Sequence, residues 1–346
     1  MTARVAPHFA AFARTASPRA PLYARLGAGL AVWPGLEDLY ADAPGTARVP
    51  VNLFAAVHYL LLADRDAPLA RFYPNLAGDT PATGDPVPAF LEYCNEHSAE
   101  IRALVATRLP QTNETGRSAL LVAGFDRLPA GPKAHLDVGA SAGLSLMLDR
   151  FAYDDGNRVL GDSALLLECS VLPPGRPLAD RLPEVTSRLG LDRRPLDLTD
   201  PDDTRWLEAC VWPDQADRFH RLERAVELFL ADPVPVRQGD AVDDLADAVA
   251  SLGPGEPVVT TSWALSYLDP VRQHAFVEEL DRLGGTRDLA WVWAESPELV
   301  PALPVDATRE GDDLTVLGVS TWSDGVRSDR TLARCHPHGY WLHWLD

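Results

Sequence analysis

Apolar residues recur at helical spacings through the first third of the chain. Three segments have this pattern: PVNLFAAVHYLLLA (50–63), VPAFLEYCNEHSAEIRALVATRL (87–109) and PQTNETGRSALLVAGFDRL (110–128). The first is apolar all round and predicts a buried helix, and the second predicts one amphipathic helix. The third predicts a helix that Thr112 or Asn113 caps. Since nothing before Ala134 has the pattern of a strand, residues 1–130 are expected to form a helical region.

Beyond residue 130, short apolar runs alternate with amphipathic segments. The runs predict strands at AHLDV (134–138), ALLLECSV (164–171), PVPVRQGDA (233–241), PVVTTSWAL (257–265), RDLAWVWAE (287–295), DDLTVLGVSTW (312–322) and RTLARCHPHGYWLHWL (330–345). Helices are predicted at AGLSLMLDRF (142–151), QADRFHRLERAVELFLAD (215–232), AVDDLADAVASLG (241–253) and DPVRQHAFVEELDRLG (269–284). Residues 172–213 are rich in Pro, Asp and Arg and are hard to assign.

Alternating strands and helices predict an α/β fold with a doubly wound, mostly parallel, Rossmann-like sheet. Seven strands are expected in residues 131–346, after the helical region of residues 1–130. Only the loop SDGVRSD (323–329) separates the last two strands, so they are expected to form a terminal antiparallel hairpin at the sheet edge.

Composition narrows the choice of ligand. The chain has 50 acidic and 31 basic residues and a net charge of −19, which disfavours a nucleic-acid partner and favours a small molecule. No apolar run approaches the roughly 20 residues that span a bilayer, and the N-terminus lacks the pattern of a signal peptide. A cytoplasmic protein without a membrane partner is expected.

The chain has few residues in metal-binding patterns. Its four cysteines are widely spaced and include no C-x-x-C pair, which disfavours a disulfide framework and a thiolate zinc site. His336 and His338 would share one face of a strand while His343 points to the other face. No metal is therefore expected.

The run LDVGASAG (136–143) permits two interpretations. As G-x-S-x-G, it resembles the nucleophile elbow of serine hydrolases, with Ser141 as nucleophile. That fold requires earlier strands, which are missing before Ala134. As a glycine-rich turn between a strand and a helix, it would bind a ligand at the end of a parallel strand.

The residues of this turn favour a nucleoside without phosphate. Ser141 replaces the second glycine of the dinucleotide pattern G-x-G-x-x-G. Asp137 precedes the turn by two residues and would repel a pyrophosphate, whereas it would attract a cation. S-adenosylmethionine carries an α-ammonium and a sulfonium and has no phosphate.

At these positions the sequence resembles class I S-adenosylmethionine-dependent methyltransferases, over about residues 130–346. LDVGASAG resembles motif I, VRQGDA (236–241) the strand end near the adenine, VVTTSWAL (258–265) the strand facing the methyl group, and the final strands the terminal hairpin. The resemblance implies S-adenosylmethionine as cofactor. The implied cofactor-binding residues are Asp137, Gly139, Ala140, Ser141, Gly143, Asp192, Asp240, Ala241 and Ser262.

The resemblance also implies an acid at the end of the second strand, where it would bind both ribose hydroxyls. Three acids compete for this position, namely Glu168, Asp192 and Asp214. GLDRRP (190–195) looks most like a strand end with its acid, which favours Asp192. Without an acid there, cofactor binding itself would be in doubt.

Acceptor and catalytic residues are less defined. Asn113, Glu114 and Arg117 have helical spacing and are candidate substrate-binding residues together with Trp263; the alternative for Glu114 and Arg117 is an exposed ion pair at a helix start. The catalytic residue is unknown, and the candidates are Glu114, Ser262 and Tyr267.

The whole chain also resembles a bacterial domain-of-unknown-function family, number 2332, through four segments: QTNETGR, LDVGASAGLSLMLDRFAY, DPDDTRWLEACVWPDQ and HGYWLHWL. That likeness implies a fold and no reaction. Three functions are therefore compared. The first is methyl transfer from S-adenosylmethionine to a small molecule, the alternative is non-catalytic binding of a ligand or partner, and the third is a serine hydrolase using Ser141.

Overall fold

The computed structural model describes residues 4–78, 81–173, 175–305 and 315–345. Its α-helices are α1 (Ala6–Ala16), α2 (Pro21–Leu30), α3 (Leu36–Leu39), α4 (Pro50–Ala63), α5 (Val87–Glu96), α6 (Ser98–Thr107), α7 (Ser118–Phe125), α8 (Pro201–Ala209), α9 (Ala216–Ala231), α10 (Leu245–Ala250) and α11 (Pro270–Gly284). None of the helices in these ranges is long and apolar enough to cross a membrane.

The described strands are short in the middle of the chain and longer towards its end. They are β1 (Lys133–Val138), β2 (Ala152–Asp154), β3 (Val159–Leu160), β4 (Leu166–Glu168), β5 (Ser170–Val171), β6 (Val185–Asp192), β7 (Val236–Gln238), β8 (Glu256–Ser262), β9 (Leu289–Glu295), β10 (Thr315–Ser323), β11 (Val326–Cys335) and β12 (Trp341–Trp344). No strand precedes Lys133 in the described part of the chain.

The chain forms two compact units. Unit 1 comprises residues 1–112 and 198–223, and unit 2 comprises residues 113–197 and 224–346. The helical unit thus ends before residue 130 and includes a later segment that carries α8. Helix α7 belongs with the sheet.

Unit 1 has a core of aromatic side chains. The ring of Phe54, on α4, stacks on Tyr23 at 4.4 Å and meets the edges of Phe9 and Phe90. The buried helix predicted at 50–63 is confirmed by α4. The single helix predicted over residues 87–109 is wrong, because His97 leaves the helical region (φ −106°, ψ 23°) and separates α5 from α6.

Unit 2 contains a nine-stranded sheet in the order β5-β12-β11-β10-β9-β8-β1-β6-β7. The five strands from β7 to β9 in this order are parallel. Thus the α/β fold with a largely parallel sheet is confirmed, while the count of seven strands is not. The additional strands are short: β12 pairs with β11, and β5 extends the sheet from β12.

Strand β6 is the main element that the pattern missed. It lies next to β1, within the segment that was hard to assign, and only its end in GLDRRP resembled a strand. The reason is that VTSRLGLD mixes polar residues into a half-buried strand. The strand predicted at residues 164–171 is divided between two sheets, since β4 pairs with β2 in a small three-stranded sheet and β5 with β12.

The segments around β1 also differ from prediction. The helix expected at residues 142–151 is a 3-10 helix, Leu144–Arg150, with non-helical angles at Met147. Glu114 takes the place of the predicted caps Thr112 and Asn113, and it caps a 3-10 turn, Thr115–Arg117, that leads into α7.

The final hairpin is antiparallel, as predicted, but it lies inside the sheet. Strands β10 and β11 join at Asp324 and Gly325, both with positive φ (51° and 77°), which suits a two-residue hairpin turn. Strands β12 and β5 lie beyond it. The first three residues of the strand predicted at 312–322 lie outside the described residues.

The two faces of the sheet differ in polarity. Leu136 and Val138 of β1 belong to an apolar core with α10 and α11. His135 and Asp137 alternate with them and face the α7 side, where the Phe125 ring meets His135 at 5.2 Å. The α7 side thus carries buried polar groups in the middle of the sheet.

A candidate ligand site at the carboxyl ends of the parallel strands

The order of the sheet places a topological switch point at β1. From β1 the chain continues to β6 and β7 on one side of the sheet and then to β8 and β9 on the other. In open α/β sheets, ligands bind at the carboxyl ends of the strands at such a point. The last residues of the four strands nearest this point, β1, β6, β8 and β9, are Val138, Asp192, Ser262 and Glu295.

The loop after β1 is a tight turn with three positive φ angles, at Gly139 (78°), Ser141 (53°) and Gly143 (84°). Its N–H groups bond within the protein: Gly139 and Ala140 donate to Leu191 O, Ser141 to Asp192, and Gly143 to Ala140 O. The phosphate-binding turns of nucleotide sites offer such groups to their ligand. This turn uses them internally, which disfavours a phosphate ligand.

Asn113 holds this turn in place. Its side-chain amide donates to Ala140 O at 2.7 Å, and its carbonyl oxygen accepts from Leu144 N at 3.1 Å. Both polar atoms of the side chain therefore bond to backbone on either side of the turn. The predicted substrate-binding residue is brought to the glycine turn and supports it.

Asp192 is the acid at the end of the second parallel strand. It is the last residue of β6, half-buried, and its Oδ2 accepts from Ser141 N while Oδ1 accepts from Arg194 N, both at 2.8 Å. The competing acids lie elsewhere. Glu168 ends β4 in the small sheet, and Asp214 belongs to unit 1, where it accepts from Leu22 N.

The carboxyl group of Asp137 points into the interior. Only 3% of the residue is exposed, and the hydroxyls of Thr260 (2.6 Å) and Ser145 hydrogen-bond to it. Burial raises its pKa to about 7, with a further contribution from the charge of Asp192. Thr260 also contacts His135 Nε2 at 2.8 Å, so Asp137 is part of a buried hydrogen-bonded chain.

Asp240 follows β7 and is engaged by two arginines. Its carboxylate forms ion pairs with Arg193 at 2.9 Å and with Arg272, and it accepts the N–H groups of Val242 and Asp243. Burial acts to raise its pKa, but these partners hold it at about 2. Ala241, beside it, is half-buried. Any ligand near Asp240 would therefore meet a carboxylate that already has partners.

The loop after β8 contains a strained residue. Trp263 has φ 53°, a rare conformation for a bulky side chain, and its indole N–H donates to Thr315 Oγ1 at 2.7 Å. The neighbouring Ser262 hydroxyl is buried and has no hydrogen-bond partner among the described residues. These two predicted residues thus lie together at the strand end, whereas Tyr267 is 79% exposed.

Glu295 supports the same loop and was not among the predicted site residues. It ends β9, is fully buried, and its Oε1 accepts the N–H groups of Ala264 (3.0 Å) and Leu265 (3.3 Å). Burial raises its pKa to about 7, against the lowering effect of those N–H groups and of the Arg117 charge. The sequence did contain a signal for Glu295. The predicted strand ends in WVWAE, and an acid at a strand end is the pattern that selected Asp192.

Arg117 and Glu114 are buried, which excludes the exposed ion pair considered from sequence. Arg117 donates to Ser262 O at 3.2 Å and to Pro337 O at 2.8 Å, with its guanidinium 5.8 Å from the Trp263 ring centre. Glu114 Oε2 lies 3.7 Å from His338 Nδ1. The turn that contains His338 therefore joins the candidate site, which the sequence did not show.

Ser141 has the positive φ of a nucleophile elbow, but it lacks exposure. Only 3% of the residue is accessible, its N–H donates to Asp192, and its carbonyl accepts from Leu196 N. The elbow of a hydrolase presents its serine at the surface of the site. Across the described residues, no group of three or more His, Cys, Asp and Glu side chains is placed to hold a metal.

Comparison with known proteins gives a family and no activity. No protein with a curated description matches the chain. One similar solved structure is a S-adenosylmethionine-dependent methyltransferase from Clostridium acetobutylicum ATCC 824, 11% identical over 70% of this chain and 79% of that chain. Its TM-score of 0.26 is too low to carry an argument. A family model, "Uncharacterized protein conserved in bacteria (DUF2332)", matches residues 6–344, and the chain therefore belongs to this family.

Proposed function

We propose that the protein binds S-adenosylmethionine at the carboxyl ends of β1 and β6 and transfers its methyl group to a small molecule. The observation that carries the proposal is Asp192, which ends β6 against the glycine turn. Each of its oxygens accepts one N–H, and a carboxylate oxygen can accept two hydrogen bonds. One acceptor position on each oxygen suits the two hydroxyls of a ribose.

The glycine turn supports a nucleoside without phosphate. Five of its N–H groups, those of Gly139, Ala140, Ser141, Gly143 and Leu144, donate within the protein. A dinucleotide would lack donors there for its pyrophosphate, whereas S-adenosylmethionine has no phosphate. When bound, this cofactor supplies an electrophilic methyl group.

The protein would orient the cofactor and exclude water. Asp192 and the turn would hold the nucleoside, and the Ser262 hydroxyl at the end of β8 is an unfilled polar position that a bound ligand would satisfy. Asp137 would support the site without touching the cofactor, since its carboxyl group already accepts hydrogen bonds from Thr260 and Ser145. The acceptor would be small, in keeping with the acidic charge of the chain.

The test is isothermal titration with S-adenosylmethionine and S-adenosylhomocysteine. Asp192→Asn keeps the shape of the side chain and removes its charge, so affinity is expected to fall at least about tenfold, since a hydrogen bond to a charged group contributes about 1.5–3 kcal/mol. Glu168→Gln, in the separate sheet, is the matched control and should bind normally. No binding by the folded wild type, or normal binding by Asp192→Asn, would overturn the proposal.

The same titration separates the two other functions. Binding of cofactor without methylation of any acceptor would favour the non-catalytic alternative. A hydrolase would instead require that a fluorophosphonate probe label Ser141. The burial of that serine is the reason to expect no labelling.

A further inference from the structure

The loops after β6 and β7 are tied together at the open end of the sheet. Gly239, which follows β7, donates its N–H to Asp192 O at 2.8 Å, and the side chain of Gln238 donates to Arg193 O at 3.2 Å. A third link is the ion pair between Arg193 and Asp240 at 2.9 Å. The two loops therefore form one wall beside Asp192, the residue that would bind the ribose.

The order of the strands gives a direction to a nucleoside that Asp192 holds. In such a nucleoside, the base on C1′ and the sulfur-bearing C5′ group on C4′ lie on either side of the ring oxygen of the ribose. The proposed function puts the methyl group near β8, which lies on the far side of β1 from β6. The C5′ group would therefore point towards β1, and the base would lie over the other neighbour of β6, which is the end of β7.

The acid at the end of β7, Asp240, has little acceptor capacity left for a base. Its Oδ1 accepts the N–H groups of Val242 (2.8 Å) and Asp243 (3.2 Å) and a guanidinium N–H of Arg272. Its Oδ2 accepts from Arg193, so only Oδ2 keeps an acceptor position. The sequence implied that this strand end lies near the adenine, but the carboxylate mainly orients two arginines.

Arg193 is the exposed member of this group. Its side chain is 73% accessible, against 20% for that of Asp240. Within the described ranges, its guanidinium makes one hydrogen bond, from Nη2 to Asp240, and no aromatic ring lies over it. The planar face of the guanidinium is therefore open at the place expected for the base. Guanidinium planes stack on aromatic rings and on nucleic-acid bases.

We propose that Arg193 binds the base of the nucleoside by stacking its guanidinium on the ring, and that Asp240 is its positioning residue. This inference rests on the proposed function, because the ribose on Asp192 places the base. Stacking recognises the flat face of a base and not the groups on its edge. The ligand class is therefore a purine nucleoside without phosphate, with weak discrimination at the 6-position of the purine.

The first test measures the affinity for S-adenosylhomocysteine by calorimetry in Arg193→Ala and Arg193→Lys. Both variants should fold, since an exposed ion pair adds little stability. Both should bind about five- to tenfold more weakly, because lysine keeps the charge and lacks the planar group. Arg282→Ala, at an exposed arginine paired with Glu279 at 2.6 Å, is the control and should bind normally. Full affinity in either Arg193 variant would overturn the stacking.

The second test changes the edge of the base and keeps its face. S-inosylhomocysteine has a carbonyl where S-adenosylhomocysteine has the 6-amino group, and the wild type should bind the two within about threefold of each other. A hydrogen bond from the amino group to Asp240 makes the opposite prediction. The inosine compound would then bind at least about tenfold more weakly, and Asp240→Asn would abolish the difference. That result would overturn the assignment of the base to Arg193.

The role of Asp240 is tested through Arg193. Asp240→Asn should weaken binding of S-adenosylhomocysteine by up to about the five- to tenfold that Arg193→Ala loses, and it should have no further effect in the Arg193→Ala background. Asp243→Asn removes a partner of Arg272 at 3.1 Å without touching Arg193, so it is the control and should bind normally. Additive losses from Asp240→Asn and Arg193→Ala would overturn the positioning role.

The outcomes separate this inference from the proposed function. If S-adenosylhomocysteine binds equally well to the wild type and to both Arg193 variants, this inference fails while cofactor binding stands. If the folded wild type binds neither S-adenosylmethionine nor S-adenosylhomocysteine, the proposed function fails, and the protein is titrated with adenosine. Binding of adenosine that is lost in Arg193→Ala would keep the base site without methyl transfer, whereas no binding of adenosine would overturn both.

Discussion

The loops after β1 and β8 end neighbouring parallel strands and turn in different ways. The β1 loop reaches positive φ mainly through Gly139 and Gly143, and its N–H groups bond to nearby backbone and side chains. The β8 loop has no glycine, places Trp263 at φ 53°, and leaves the Ser262 hydroxyl without a partner among the described residues.

The difference indicates separate tasks. A turn whose N–H groups are bonded within the protein, with glycine at two of its three positive-φ positions, is a rigid platform. A turn with a strained bulky residue and an unsatisfied buried hydroxyl stores free energy that a ligand can recover. The loops touch, since a Cβ on Gly139 would lie 2.5 Å from Ala264 Cβ. The β1 loop and the β8 loop therefore constrain each other.

The largest expected loss of stability comes from Gly139→Ala, because the added Cβ would crowd Ala264. The positive φ costs roughly 1–2 kcal/mol, and crowding against Ala264 adds about 1–3 kcal/mol. Gly156→Ala has a similar φ (87°) with nothing within 4 Å, so it should show the conformational cost alone. Urea unfolding of the folded variants measures both.

A double-mutant cycle isolates the contact between the loops. Ala264→Gly removes the opposing Cβ, so the double variant with Gly139→Ala should recover about 1 kcal/mol or more of the crowding term. Strict additivity of the two substitutions would show that the loops do not constrain each other.

A smaller effect is expected from the buried acids beneath the loops. The pKa of Asp137, near the β1 loop, rises from 3.8 to about 7, and that of Glu295, under the β8 loop, from 4.5 to about 7. The folded state thus favours the protonated forms. Their stabilising contribution is complete below about pH 4 and is lost as the pH rises through about 7.

Neutral replacements should therefore flatten the pH dependence of stability. Glu295→Gln is expected to change the difference in unfolding free energy between pH 5 and pH 8 by up to about 3 kcal/mol, and Asp137→Asn by a similar amount. Urea unfolding at both pH values is the measurement, with exposed Glu168→Gln as control. Parallel pH profiles for wild type and variants would contradict the pKa shifts.

The sequence predicted this fold best where burial is continuous. Strands β1, β8 and β9 are fully or mostly buried runs, and α11 is capped by the preceding Asp269, whose side chain accepts from Arg272 N. Strand β6 was missed, because its outer face is polar and only its neighbour β1 makes it central. Local pattern carries no information about that pairing.

Only part of the site was predicted, because local pattern shows where a strand ends but not what packs against it. Asp192 was chosen because it ends a run, and the structure places it at a strand end beside the turn. The inward direction of Asp137 depends on α7 covering that face of the sheet, and the role of Glu295 depends on the path of the β8 loop. Both are tertiary properties.

The smallest effect concerns Ser262→Ala. Because the hydroxyl is buried without a partner among the described residues, its removal is expected to leave stability unchanged or to raise it by up to about 1 kcal/mol. Tyr267→Phe, at a side chain that is largely exposed, should change stability by less than about 0.5 kcal/mol. Thermal unfolding compares them without ligand.

Calorimetry with S-adenosylmethionine then distinguishes these two residues of the β8 segment. If the Ser262 hydroxyl is held unsatisfied for a ligand, Ser262→Ala should bind about tenfold more weakly although its fold is no less stable, since one buried hydrogen bond is worth about 1 kcal/mol. Tyr267→Phe should bind as the wild type does. A Ser262→Ala variant that is destabilised and binds normally would make this hydroxyl a structural group, and the two loops would then both be platforms.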